Sequence, residues 1–191
     1  HPKQGTDAAV AMAMGHVILK EFHLDKPSEY FQEYCRKYTD MPMLVRLDQG
    51  QHGLQQGRLL RASDLTANLG ESNNPEWKTV AVSQASGELV VPNGSIGFRW
   101  GEQGKWNLEE KAAGKDEVLR MSLLGIEDEV AEVAFPYFGG IAHEHFQHTD
   151  HPEVITHKVP AKRLKFADGT EGLVASVYDL MLAHYGLDRG L

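Results

Sequence analysis

Gly5, Thr6 and Asp7 combine a permissive backbone, a helix-capping hydroxyl and a carboxylate, directly before the helix-forming run Ala8-Ala9-Val10-Ala11-Met12-Ala13-Met14. The first turn of a helix leaves backbone N–H groups without intrahelical partners, and such an end suits phosphate. Asp7 complicates a purely phosphate-binding role, because two anions repel. A carboxylate only accepts hydrogen bonds and takes two parallel N–H donors. Guanine presents such a pair, its ring N1–H and its exocyclic amine. The tripeptide is thus a candidate guanine-nucleotide contact, and plain capping by Thr6 explains the same spacing equally well. The sequence contains no Walker loop and no GxGxxG.

Three further groups could carry chemistry. His143, His145, His148, His151 and His157 cluster with Glu144, Asp150 and Glu153, a density of imidazole that suits Zn²⁺, Ni²⁺ or Cu²⁺. His143-Glu144-His145 is too short for HExxH, and the simpler reading is a polar surface loop. Phe98, Arg99, Trp100, Lys105 and Trp106 interleave aromatic and cationic side chains, which could stack a flat ligand or cover a core edge. Phe135-Pro136-Tyr137-Phe138-Gly139-Gly140 fits a lid or a packed corner. No Ser–His–Asp or Cys–His order stands out, so no catalytic residue and no metal ligand is assigned.

The elements that must position these groups change character along the chain. Ala8 to Leu19, rich in Ala and Met, reads as a buried helix. A second helix is expected from Asp25 or Ser28 to Lys37, with Tyr30, Phe31, Tyr34, Cys35 and Tyr38 forming one buried face. From Met41 the period shortens. Strands are expected at 43–47, 58–62 and 118–123, with the Gly/Gln-rich stretch 49–57 stopping the first. Hairpins are expected at 78–82 with 88–91, and at 164–166 with 172–175. A final helix spans 176–184 and stops at Gly186. The class is α+β, with a helical segment over 1–40 and an insertion-like α+β region over 41–191.

Composition narrows the function. The 191 residues carry 41% apolar and 24% charged side chains, a globular balance, and no apolar run is long enough for a membrane helix. A net charge of −8 without a basic tract argues against nucleic acid as a partner. Cys35 is the one cysteine, which excludes an internal disulfide and a cysteine-ligated cluster within the chain. The opening His1-Pro2 and the loop-like end 186–191 are expected of a piece of a longer chain.

Several long segments are jointly specific. Lys3-Gln4-Gly5-Thr6-Asp7-Ala8-Ala9, Tyr38-Thr39-Asp40-Met41-Pro42-Met43-Leu44-Val45, Asn73-Asn74-Pro75-Glu76-Trp77-Lys78, Pro92 to Trp100 and Gly104 to Leu108 occur in this order. So do Phe135 to Gly140, Val177-Tyr178-Asp179-Leu180 and Tyr185-Gly186-Leu187. Together they resemble the catalytic alpha subunits of membrane-bound respiratory nitrate reductases, within the dimethyl-sulfoxide-reductase family of molybdenum enzymes. The resemblance implies an internal fragment of a larger α/β molybdopterin oxidoreductase, inactive alone. It implies a molybdenum bis(molybdopterin guanine dinucleotide) cofactor, with Gly5, Thr6 and Asp7 at a helix start that touches a guanine nucleotide. It further implies an iron–sulfur cluster whose ligands, like the molybdenum-ligating aspartate, lie outside this chain. Nitrate as substrate, quinol as the electron source, an iron–sulfur beta subunit, a membrane haem gamma subunit and a location on the cytoplasmic side of the inner membrane are implied in the same way. A related selenate or chlorate reductase, or an autonomous metal-binding or interaction module, are the alternatives.

Overall fold

Apolar residues alternate with polar ones along Leu44-Val45-Arg46-Leu47, which gives a strand one apolar face. In the computed structural model, which describes residues 3–69, 76, 78–93, 111–112, 115–136, 154–187 and 189–191, that strand is β1 (Leu44–Gly50). It turns through Gly53, whose φ of +101° requires glycine, into antiparallel β2 (Gly53–Leu59). The Gly/Gln-rich stretch expected to end the first strand is thus the return arm of a hairpin. Gln55 and Gln56 lie exposed along it, so polarity there marks solvent and not a loop.

Three later strands complete a closed barrel. These are β8 (Glu129–Pro136), β9 (Val154–Lys165) and β10 (Glu171–Ser176), in the order β1-β10-β9-β8-β2. Every pairing is antiparallel except β2 with β8, which meet in parallel at Leu54 and Val133. Val45, Leu47, Val133, Phe135, Val159 and Ala175 fill the barrel, and Leu180 and Ala183 of α3 (Val177–His184) pack against them. The opposite face of β1 sends Leu44 into a second cluster with Leu60, Val80, Val82, Leu123, Phe166 and Val174. That cluster joins the barrel to the small sheet β4-β3-β7, built from β3 (Ala81–Ser83), β4 (Leu89–Val90) and β7 (Leu119–Arg120). A two-stranded pair, β5 (Lys111–Ala112) and β6 (Lys115–Asp116), lies between β4 and β7 in the chain.

The expected hairpins form, with Ala81 opposite Val90 and Gly172 opposite Leu164. Gly169 has a φ of +86° in the second turn, and Gly186, at +70°, follows the last helix. The α+β class is therefore observed, with the barrel as its centre. The strand expected over 118–123 is only two residues long. Beyond it, Ser122 and Leu123 bend away to bond Asp179.

The N-terminal helices depart further from expectation. α1 (Asp7–Leu19) buries only Leu19, while Val10, Met14, Val17 and Ile18 are exposed. It continues through a π-helical turn, Lys20–Asp25, and α2 (Glu29–Tyr38) follows. On α2, Cys35 is buried as a core residue, and burial pushes its thiol pKa up. Tyr30, Tyr34 and Tyr38 are 70%, 48% and 57% exposed, so the expected five-residue buried face is not formed within this chain. Tyr34 and Tyr38 instead lie along the exposed side with their ring centroids 4.9 Å apart. α1 is held at its C-terminal half. The His16 Nδ1 lies 2.7 Å from the Tyr185 carbonyl, and a Cβ on Gly15 would stand 2.4 Å from the Tyr185 ring.

Asp64 ties the barrel hairpin to the segment that follows. Arg58 donates to both of its carboxylate oxygens, the Arg61 amide donates at 2.8 Å, and Arg46 lies 3.7 Å away. Burial pushes the Asp64 carboxyl up, but these donors outweigh it and hold the pKa below the usual carboxylate range. A folded-state pKa below the unfolded one stabilises the fold above the unfolded value, about 3.9, and the benefit fades as pH falls through the folded value. Asp64→Asn is therefore expected to cost about 1 kcal/mol at pH 7. The gap from wild type should close as unfolding curves are repeated below about pH 4, which a pH-independent gap would contradict.

Candidate functional site

At the N-terminal candidate, residues 3–6 form a tight turn. The Thr6 amide donates to the Lys3 carbonyl at 3.2 Å, and the Thr6 hydroxyl donates to the same oxygen at 2.6 Å. Gly5 reaches a φ of +79°, and nothing lies within 4 Å of where its Cβ would be. Thr6 occupies the capping position of α1 without capping it, because its hydroxyl is turned back onto Lys3. The expectation of a Thr6 side-chain cap is corrected on this point. No side chain accepts from the first-turn amides of α1, and Asp7 stands exposed at the first helical position. The arrangement leaves N–H donors and one carboxylate acceptor side by side at an open surface, the donor set a phosphate and a guanine edge require.

The largest buried polar cluster lies elsewhere. Asp179, fully buried, accepts from the Ser122 hydroxyl at 2.6 Å, the Leu123 amide at 2.7 Å, the Ser176 hydroxyl at 2.8 Å and Arg189 Nη1 at 2.6 Å. Ser176 in turn accepts the Asp179 amide and caps α3. The sequence signal for this is Ser176-x-x-Asp179, a capping box with aspartate in the third helical position. Sequence reasoning used that segment only as part of a resemblance. Its saturated geometry marks a structural node, since all four contacts are inward and intramolecular. Next to it, burial pushes the Tyr178 phenol pKa up to about 12 against the pull of Arg189.

Of the histidine cluster, only His157 falls within the described residues. It lies on β9 with its ring 5.8 Å from Phe135, which also stacks on His184 at 5.3 Å. Burial and the neighbouring His157 push the His184 pKa down. Among the described residues no group of three or more His, Cys, Asp or Glu is placed to hold a metal ion. His143 to His151, the aromatic stretch from Phe98 to Trp106, and Tyr137 to Gly140 lie outside the described residues. Phe135 and Pro136 end β8, and Phe135 is a core residue. Among the described residues no helix is long and apolar enough to cross a membrane.

No protein-family model matches the chain. Comparison with individual proteins is informative. The chain is 65% identical over its whole length to the respiratory nitrate reductase 2 alpha chain of Escherichia coli K12, and covers 15% of that protein. It is 61% identical, again over its whole length, to the respiratory nitrate reductase 1 alpha chain of the same organism, covering 15% of it. A respiratory nitrate reductase alpha chain from a Bradyrhizobium species is 45% identical over the whole chain, which covers 17% of that relative. The resemblance read from the sequence is thus present from end to end, over about one-seventh of each relative's length.

Proposed function

We propose that this chain works as a stretch of the catalytic alpha subunit of a respiratory nitrate reductase, the family that its whole length matches, in a larger enzyme that reduces nitrate to nitrite. The observation that carries the reading is identity of 61–65% sustained across all 191 residues. The open faces of α1 support it. A helix apolar all round is ordinarily buried, yet Val10, Met14, Val17 and Ile18 lie exposed here. The remaining length of such a subunit would supply the cover. The enzyme would work with an iron–sulfur beta subunit and a membrane haem gamma subunit, on the cytoplasmic side of the inner membrane, with electrons from quinol.

In this reading the cofactor is a molybdenum bis(molybdopterin guanine dinucleotide), which when bound supplies the oxygen-atom-transfer chemistry. The residues at the start of α1 fit its nucleotide end. Asp7 would accept from the base, and the uncapped first-turn amides would donate to phosphate. Gly5 would allow close approach, since no side chain projects there. Their work is binding and orientation. Nothing in this segment needs to move a proton.

The test uses the full-length alpha subunit carrying Asp7→Ala. Loss of a two-point acceptor on the base is expected to lower molybdenum per polypeptide several-fold after purification, read by plasma mass spectrometry, since a charged hydrogen-bond partner contributes about 1.5–3 kcal/mol. Unchanged molybdenum would leave Asp7 as a favourable charge at a helix start and nothing more.

A further inference from the structure

Between the π-helical turn, α2, β7 and the residues after α3 lies a cavity of about 330 Å³. Its wall carries His23, Gln32, Arg36, Arg120, Tyr178 and Arg189, and the described residues lining it include no aspartate or glutamate. We propose that this cavity binds a small oxyanion, a phosphate or a carboxylate, through Arg120, Arg189 and the His23 ring.

Unmet donor capacity is the first argument. Arg189 is 6% exposed, and its Nη1 is engaged by Asp179 and Ser122, but its buried Nη2 has no partner. His23 is 8% exposed, and its buried Nδ1 has no partner either. A buried polar atom left unbonded costs about 1–3 kcal/mol, so two beside one cavity point to a missing acceptor. Charge is the second argument. Arg120 gives its Nε and Nη2 to the carbonyls of Ser122 and Leu124, neutral acceptors that leave its charge uncompensated. Asp179, already bonded to four donors, balances Arg189 alone. Guanidinium groups match planar and tetrahedral oxyanions through paired N–H donors. The Tyr178 phenol, kept protonated by burial, adds a neutral donor to the same wall. Arg189 also borders a second cavity beside Lys158, which adds a cation on that side.

This inference is independent of the nitrate reductase reading. The same chemistry has two sources, a free ion such as phosphate or an acidic side chain from another segment. The experiment titrates the 191-residue chain with inorganic phosphate and, separately, with acetate, by calorimetry and by the NMR shift of the His23 ring. Saturable one-site binding of either is expected, weakened about tenfold in Arg120→Gln and in His23→Phe by the loss of a charge-assisted or buried hydrogen bond. Phosphate alone would mark a free ligand, and acetate alone a docked acidic side chain. His23→Phe keeps the aromatic contacts to Phe31 and Tyr178, at 5.5 and 6.0 Å, so it remains readable if Arg120→Gln unfolds. No saturation with either anion, or binding unchanged in His23→Phe, would overturn the proposal.

Discussion

Asp179→Ala is expected to be among the most destabilising single substitutions in this chain, costing about 3–5 kcal/mol. The carboxylate is fully buried and joins three parts of the chain distant in sequence. Its removal strands Arg189, a cation 6% exposed, without its counter-charge. It also leaves the Ser122 hydroxyl, the Leu123 amide and the Ser176 hydroxyl short of an acceptor. Each orphaned donor adds desolvation cost that water cannot repair at a closed site. Urea unfolding followed by far-UV circular dichroism should show the midpoint fall with little change in slope. The double variant Asp179→Leu with Arg189→Met separates the pair from the rest. Removing both charges should cost less than Asp179→Ala alone, because no unpaired ion remains. A loss under about 1 kcal/mol in Asp179→Ala would mean that solvent reaches the node.

That node illustrates what the sequence can and cannot convey. The capping box Ser176-x-x-Asp179 is local and legible, and it places the start of α3 correctly. Its other partners, Ser122, Leu123 and Arg189, are not legible, because no local pattern brings residues 56 or 57 positions apart together. The barrel divides in the same way. The hairpins β3–β4 and β9–β10 follow from alternation and glycine turns. Closure depends on the parallel meeting of Leu54 with Val133, a long-range contact that no spacing announces. β8 escaped notice because Glu129-Val130-Ala131-Glu132-Val133-Ala134 mixes alanine and glutamate into a strand, against propensity. Burial of Ala131, Val133 and Ala134 against the barrel core decides the matter. At the candidate nucleotide contact, residue types suggested both a cap and a ligand site. The cap is absent, since the Thr6 hydroxyl is bonded to Lys3.

The largest mismatch, the open faces of α1 and α2, leads to the second strong prediction. The pattern of Ala8 to Leu19 reads as buried, and the 191-residue chain leaves most of it in solvent. Both follow if the pattern was shaped by the whole subunit and the chain contains only part of the cover. Met14→Glu combined with Val17→Glu should then behave differently in two contexts. In the 191-residue chain, where Met14 is 58% and Val17 49% exposed, the change should fall within about 0.5 kcal/mol for each surface site. In the full-length alpha subunit the same two carboxylates would be forced into apolar packing, at a cost of several kcal/mol each. The expected result there is loss of folded subunit, seen as protease sensitivity and a sharp fall in soluble yield at unchanged expression. Equal tolerance in both contexts would place α1 at the surface of the full subunit, and its apolar character would then need a partner chain to cover it. Loss in both contexts would show that α1 is already held by this chain alone, through Leu19, the Gly15–Tyr185 approach and His16.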